Sequence, residues 1–249
     1  MKRSIKTTCW SALILGIILT AGTALAIPSL QLDVEGGTYD WSTQTIIAPD
    51  STFTLDAYLI RNRTNTLGDT YYISAALVPV TDTANTDLGS FEFNGETIQV
   101  TADMVYGVPP LEDYLAADKG DLATHGIYPT YYAEFAFQFS SDDRAVKYDT
   151  QDDPGAGPTE SATGTMYYTT FTIDTSNLAY GYTLHFDLYN TDSGTWRLCQ
   201  GSDVDITGFA PFSHDAESGG QVPEPSTLLL MGLGLLGLTF WGARKGFQN

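Results

Sequence analysis

Between Ser141 and Gly157 the chain reads SDDRAVKYDTQDDPGAG, placing Asp142, Asp143, Asp149, Asp152 and Asp153 within twelve residues. Carboxylates this dense on a turn-forming segment suit calcium, which takes about six to eight oxygens from carboxylates, carbonyls and water. The spacing is not that of an EF-hand loop, whose ligands alternate and end on a distant glutamate. Arg144 and Lys147 also lie inside the run and compete for the same carboxylates. The alternative to a calcium site is a solvated acidic turn between strands. Asp203 and Asp205 make a second, sparser acidic pair.

Other chemistry is harder to assemble. His125, His185 and His214 lack the i, i+4 spacing of a helical zinc site, and no cysteine pair joins them. His185 falls on a strand, where a turn-facing or solvent-facing position is expected. Ser213-His214-Asp215 spells the members of a hydrolase triad, but consecutive residues of an extended chain point to alternate sides. No Gly-x-Ser-x-Gly elbow appears. Gly36-Gly37 has neither the lysine nor the following helix of a phosphate-binding loop. So many acidic residues would place two carboxylates at glycosidase separation in almost any fold, so that pairing carries no assignment. The sequence predicts no catalytic residue and no resident cofactor, with calcium the one candidate ion. A hydrolase stays a second alternative with no site to name.

The elements that must position these residues are short and β-prone. Runs rich in Tyr, Phe, Val, Ile and Thr alternate with clusters of Gly, Asp, Asn, Ser and Pro. They predict strands near Leu30–Val34, Phe53–Ile60, Thr70–Val80, Ser90–Phe93, Thr97–Thr101, Tyr131–Phe139, Thr165–Ile173 and Thr183–Tyr189. In YYAEFAFQF, Phe135, Phe137 and Phe139 share one face. In LHFDLYN, Leu184, Phe186 and Leu188 oppose His185, Asp187 and Tyr189. Asn94-Gly95 in SFEFNGETIQV supplies the positive φ angles of a type I′ hairpin turn. Pro110–Lys119 reads as a short helix. The pattern predicts an all-β fold, a single jelly-roll-like β-sandwich over residues 27–218.

Both ends differ from this texture. Lys2, Arg3 and Lys6 precede an apolar run from Trp10 to Leu19. Ala24 and Ala26 then offer the small residues a signal peptidase reads, so residues 1–26 are expected to form a cleaved signal helix. At the other end, residues 227–243 carry no charge and are rich in Leu and Gly. As a helix they would extend about 26 Å, the short end of what spans a bilayer. Arg244 and Lys245 would hold the far end at the cytoplasmic face. Val222-Pro223-Glu224-Pro225 precedes this helix, and its two prolines hold Glu224 in an extended, accessible backbone. The tail thus divides into a motif at 222–227, a transmembrane segment at 227–243 and a basic end at 244–249, all within a terminal region of 219–249.

Setting those ends aside leaves six basic residues against 29 acidic ones, a net charge near −23. Such a surface repels nucleic acid and anionic lipid. Cys9 would leave with the signal, so Cys199 would stand alone, either buried and inert or available for intermolecular pairing. All 15 tyrosines lie between the two ends, with Trp41 and Trp196. Exposed rings of this kind can stack on sugars, giving a calcium- or carbohydrate-binding module as the first alternative. Tyrosine is also an ordinary strand residue packing against cross-strand neighbours.

Pro223-Glu224-Pro225, then an apolar helix, then Arg244-Lys245, resembles the PEP-CTERM sorting signal. That resemblance implies recognition of the tail by an exosortase in the inner membrane of a Gram-negative bacterium that makes exopolysaccharide. It implies a transient membrane anchor, then delivery to the cell surface or extracellular matrix. GFQN after the basic pair is longer and less basic than the pattern. The stretches LQLDVEGGTYDWSTQTI, DTYYISAALVPV, LGSFEFNGETIQV and MVYGVPPLE resemble the choice-of-anchor N family of exported bacterial proteins. HGIYPTYYAEFAFQF, YDTQDDPGAG, LHFDLYNT and FAPFSHDAES extend the resemblance from Leu30 to Ser218. It implies a surface or matrix component and supplies no chemistry. The expected function is non-enzymatic, structural or interactive, and linked to exopolysaccharide or biofilm.

Overall fold

Asn94 and Gly95 adopt positive φ angles of 52° and 79° and join two antiparallel strands through a two-residue turn. In the computed structural model, which describes residues 27–117, 126–190 and 208–220, these strands are Ser90–Phe93 (β6) and Glu96–Gln99 (β7). Residues 1–26, where the signal is expected, His125, Trp196, Cys199, Asp203, Asp205 and the tail from 221 onward lie outside the described residues.

Two sheets account for the architecture among those residues. The first joins Leu30–Val34 (β1), Thr52–Ile60 (β4), Met166–Asp174 (β11), β6 and β7 in that order, with Arg144–Ala145 (β10) also on β11. The second runs Thr38–Asp40 (β2), Thr45–Ile47 (β3), Asp215–Glu217 (β13), Thr183–Asn190 (β12), Tyr71–Val78 (β5), Thr130–Phe137 (β9) and Val105–Gly107 (β8). Every pairing is antiparallel except β13 with β3.

Period-two alternation builds the core between the sheets. Leu30, Leu32, Val34, Leu55, Leu59 and Ile173 from the first sheet join Ile73, Leu77, Leu184, Phe186 and Leu188 from the second in one buried cluster. Phe93 stacks on Phe135 across the layers with ring centres 3.8 Å apart, and Phe53 meets Phe186 edge-on at 6.1 Å. Each such buried side chain contributes about 1.5–3 kcal/mol. This is the all-β, two-sheet arrangement that the alternation predicts.

Local boundaries shift in places. The strand expected over Thr97–Thr101 ends at Gln99, because Asp103 Oδ2 accepts the Gln99 amide at 2.8 Å and draws Val100–Asp103 (α1) into a helical turn. That turn sends Val100 into the core. The helix from Pro110 runs to Ala117 (α2), with Lys119 outside the described residues. Strands β2, β3, β8, β10 and β13 are only two or three residues long, too short to show a period. Among the described residues no helix is long and apolar enough to cross a membrane.

Candidate functional site

The acidic run is divided by β10. Asp142 and Asp143 lie exposed in the bend before it; Asp149, Asp152 and Asp153 lie on an excursion from Val146 to Thr159, closed at its neck by Val146 N–H to Thr159 O at 2.8 Å. This excursion covers the outward face of β1. There Gln31 accepts the Thr150 amide at 2.9 Å and donates to Tyr148 O at 3.4 Å. Asp33 accepts the amides of Val34 and Gly155, both at 2.8 Å, and that of Gly157 at 3.4 Å. It also accepts the Tyr148 hydroxyl at 2.9 Å, whose oxygen lies 2.7 Å from the Tyr58 hydroxyl.

The outward residues of β1 are therefore fully buried although they are polar. Burial pushes the Asp33 carboxyl up, against its hydrogen bonds to Gly155, Tyr148, Val34 and Gly157. Opposite it on β4, Asp56 is pushed up to about 7 by burial, with the charges of Glu35 and Asp33 adding and the Thr170 hydroxyl opposing.

Asp149 turns toward His214. Its Oδ1 accepts the Gln151 amide at 3.0 Å and lies 2.9 Å from His214 Nε2. Asp142 accepts the hydroxyl of its neighbour Ser141 at 3.2 Å, and Asp152 and Asp153 are exposed. Among the described residues, the group of three or more potential ligands within metal-binding reach is His185, Asp187 and Asp215. None of the five aspartates belongs to it.

The Ser213-His214-Asp215 string is not extended as expected. Phe212–His214 forms a single 3-10 turn, and in that geometry Ser213 Oγ lies 2.8 Å from His214 Nδ1. Serine, histidine and an acid do connect, but the acid is Asp149, 65 residues away. Burial holds the His214 imidazole below its ordinary range, against the Asp149 and Asp152 carboxylates. The neutral ring then donates from Nε2 to Asp149 and accepts the Ser213 hydroxyl at Nδ1. A nucleophile–base pair needs the ring oriented by the acid from its other nitrogen. Here that condition is met, and what the arrangement visibly does is fasten the excursion to the entry of β13.

Asp215 turns the opposite way, to the outward face of the second sheet. His185 is buried there and not solvent-facing, because α2 and the segment around Phe209 lie over β12. Leu111, Tyr189 and Phe209 form a small second core beside it, with Tyr72 and Phe212 packed against them. His185 Nε2 lies 3.4 Å from Asp187 Oδ1 and 3.9 Å from Asp215 Oδ2. Ligands about 2.0–2.2 Å from a tetrahedral zinc stand roughly 3.3–3.6 Å apart, so these three are the residues that could hold such an ion. Burial works most strongly against the His185 imidazolium, yet the Asp187 carboxylate and the charges of Glu217 and Glu112 together outweigh it, and the net displacement is upward. Burial raises Asp215, and the charges of Asp187 and Glu112 raise it further. His185-x-Asp187 is visible in the sequence; Asp215 reaches them only through β13 pairing, which no local signal announces.

Trp41 and Tyr180 are the exposed large aromatics of these residues, whereas Tyr58, Tyr71 and Tyr189 are fully buried.

Residues 221–245 match the model of the PEP-CTERM protein-sorting motif. The match contains Pro223, Glu224, Pro225, Arg244 and Lys245. The motif implies export, processing by an exosortase and sorting to the cell surface. No curated protein matches the chain.

Proposed function

We propose that this chain is a precursor delivered by an exosortase to the surface or extracellular matrix of a Gram-negative bacterium. Its two-sheet domain serves there as a non-enzymatic structural or interaction component associated with exopolysaccharide. The observation that carries the reading is the sorting-motif match over residues 221–245. The signal-like start, with Ala24 and Ala26 at the cleavage positions, supports export by a signal peptidase and a temporary stay of residues 227–243 in the inner membrane. A fastening role for the polar constellations supports a structural domain. Asp33 binds loop amides, and His214 ties Asp149.

The test is the intact mass of the protein from envelope and medium, in cells with and without the exosortase. Cleavage after Ala26 and loss of the tail beyond the motif are expected only where the enzyme is present. A mature form still carrying Leu228–Asn249 in exosortase-positive cells overturns the reading. The triple variant Pro223→Ala, Glu224→Ala, Pro225→Ala is expected to accumulate in the envelope unprocessed.

A further inference from the structure

At one end of the first sheet, two arginines converge on one tyrosine. Arg144 on β10 stands in register with Tyr167 on β11, and Arg61 follows directly after β4. The Arg144 guanidinium lies 5.1 Å from the Tyr167 ring centre and that of Arg61 lies 6.0 Å away. Arg144 donates from Nη2 to the Tyr167 hydroxyl at 3.1 Å and from Nη1 to Ala162 O at 3.2 Å. The nearness of these two cations, Arg61 first, holds the phenol below its ordinary range. With Ile60, Asn62 and Thr165 they line an open cleft of about 390 Å³.

The charge arrangement needs explaining. Outside its end segments the chain carries 29 carboxylates and six cations, so arginines have an abundance of acidic partners. Neither Arg61 nor Arg144 is paired with a carboxylate among the described residues. Arg144 Nε is buried and makes no hydrogen bond. Two like charges gathered at one ring repel each other, and an anion between them would relieve that repulsion. The two guanidiniums that line the cleft carry more N–H donors than these hydrogen bonds use, in the planar geometry that matches a carboxylate.

We propose that the Arg61–Arg144 cleft binds the carboxylate of a sugar acid. The volume falls within the roughly 300–1,000 Å³ of small-molecule sites, and exposed Thr165 offers a hydroxyl at the rim. The surrounding negative charge repels a continuous polyanion. The cleft therefore takes one uronate at a time, as a free monosaccharide or as an isolated acidic residue of a mostly neutral polymer. This inference stands on the cleft alone, so its failure would leave the sorting reading untouched, and a sorting failure would leave the cleft.

The test is calorimetric titration of the full chain with glucuronate. Parallel arms use glucose, acetate, sulfate and a neutral oligosaccharide carrying one glucuronate. Saturable binding of glucuronate, no response to glucose, and at least tenfold weaker binding by Arg144→Gln and Arg61→Gln are expected. Arg144→Lys is expected to restore little, because a point charge does not replace a fork. Arg61 is exposed, so its variant remains informative if Arg144→Gln fails to fold. Tighter binding of the oligosaccharide than of glucuronate identifies the polymer as the source; equal binding identifies the free acid. No saturable response to glucuronate or the oligosaccharide overturns the proposal, as does acetate or sulfate binding as tightly as glucuronate.

Discussion

Asp33 and Gly155, 122 residues apart in the chain, meet through a 2.8 Å hydrogen bond from the Gly155 amide to Asp33 Oδ1. Around this bond the Tyr148 hydroxyl and the amides of Val34 and Gly157 converge on the same carboxylate. Removing the carboxylate leaves buried donors unsatisfied, each costing about 1–3 kcal/mol. Asp33→Ala is therefore expected to lower stability by about 3 kcal/mol or more. Urea denaturation of the variant checks this, and a midpoint unchanged from wild type would show that the excursion is not held through Asp33.

Gly155 itself is held in a conformation that side chains avoid. Its φ is 80°, and a Cβ there would stand 2.5 Å from Gly37 O and 2.8 Å from Gly37 N. Both contacts are with backbone, so no side-chain rotation relieves them. Gly155→Ala is expected to cost about 2–4 kcal/mol and to loosen the excursion first. Limited proteolysis should find new cleavage between Val146 and Thr159 in the variant. An unchanged digestion pattern together with an unchanged melt would refute the close approach.

The His214–Asp149 contact gives the molecule a pH dependence of defined sign. The folded imidazole is held below its unfolded value of about 6.5, so folding favours the neutral ring. This contribution is present in full above that value and is lost as pH falls through the lowered folded pKa. Asp149 and Asp152 face the ring and limit the effect without reversing it. Because other buried groups titrate in the opposite sense, the quantity to measure is the difference between wild type and His214→Gln. That difference is expected to favour wild type at pH 7.5 and to shrink by pH 5. A difference that grows on acidification would reverse the assignment.

Much of the frame was legible because it depends on local pattern. Leu184, Phe186 and Leu188 alternate into the core as spaced, and Asn94-Gly95 makes the turn its φ preferences demand. The outward faces were not legible. Alternation says that Asp33, Asp56 and His185 leave the core, but not that a loop or helix covers them again. That second burial comes from long-range pairings such as Thr150 with Gln31, 119 residues away. The acidic run was visible as a composition, yet its division by β10 depends on the register of Arg144 with Tyr167. Ser213 and His214 were visible as neighbours, and only the 3-10 turn brings their side chains into contact.

Asp56 provides the remaining prediction. It lies in register with Asp33 on β1 and Thr170 on β11, so two carboxylates stand opposite each other across neighbouring strands. Thr170 Oγ1 donates to its Oδ1 at 2.8 Å, while its Oδ2 is buried without a hydrogen bond. The folded pKa is raised from 3.8 to about 7, so the folded state holds a proton that the unfolded chain has already released. Stability from this group is full below the unfolded value and falls as pH rises through the folded one. At about 1.4 kcal/mol per pKa unit, the decline amounts to roughly 4 kcal/mol. Asp56→Asn keeps an acceptor for Thr170 and cannot ionise. It is expected to be more stable than wild type by about 2–4 kcal/mol at pH 8 and nearly equal to it at pH 4. Chemical denaturation at both pH values decides the matter: a constant offset between the two proteins would mean that Asp56 does not titrate in this range.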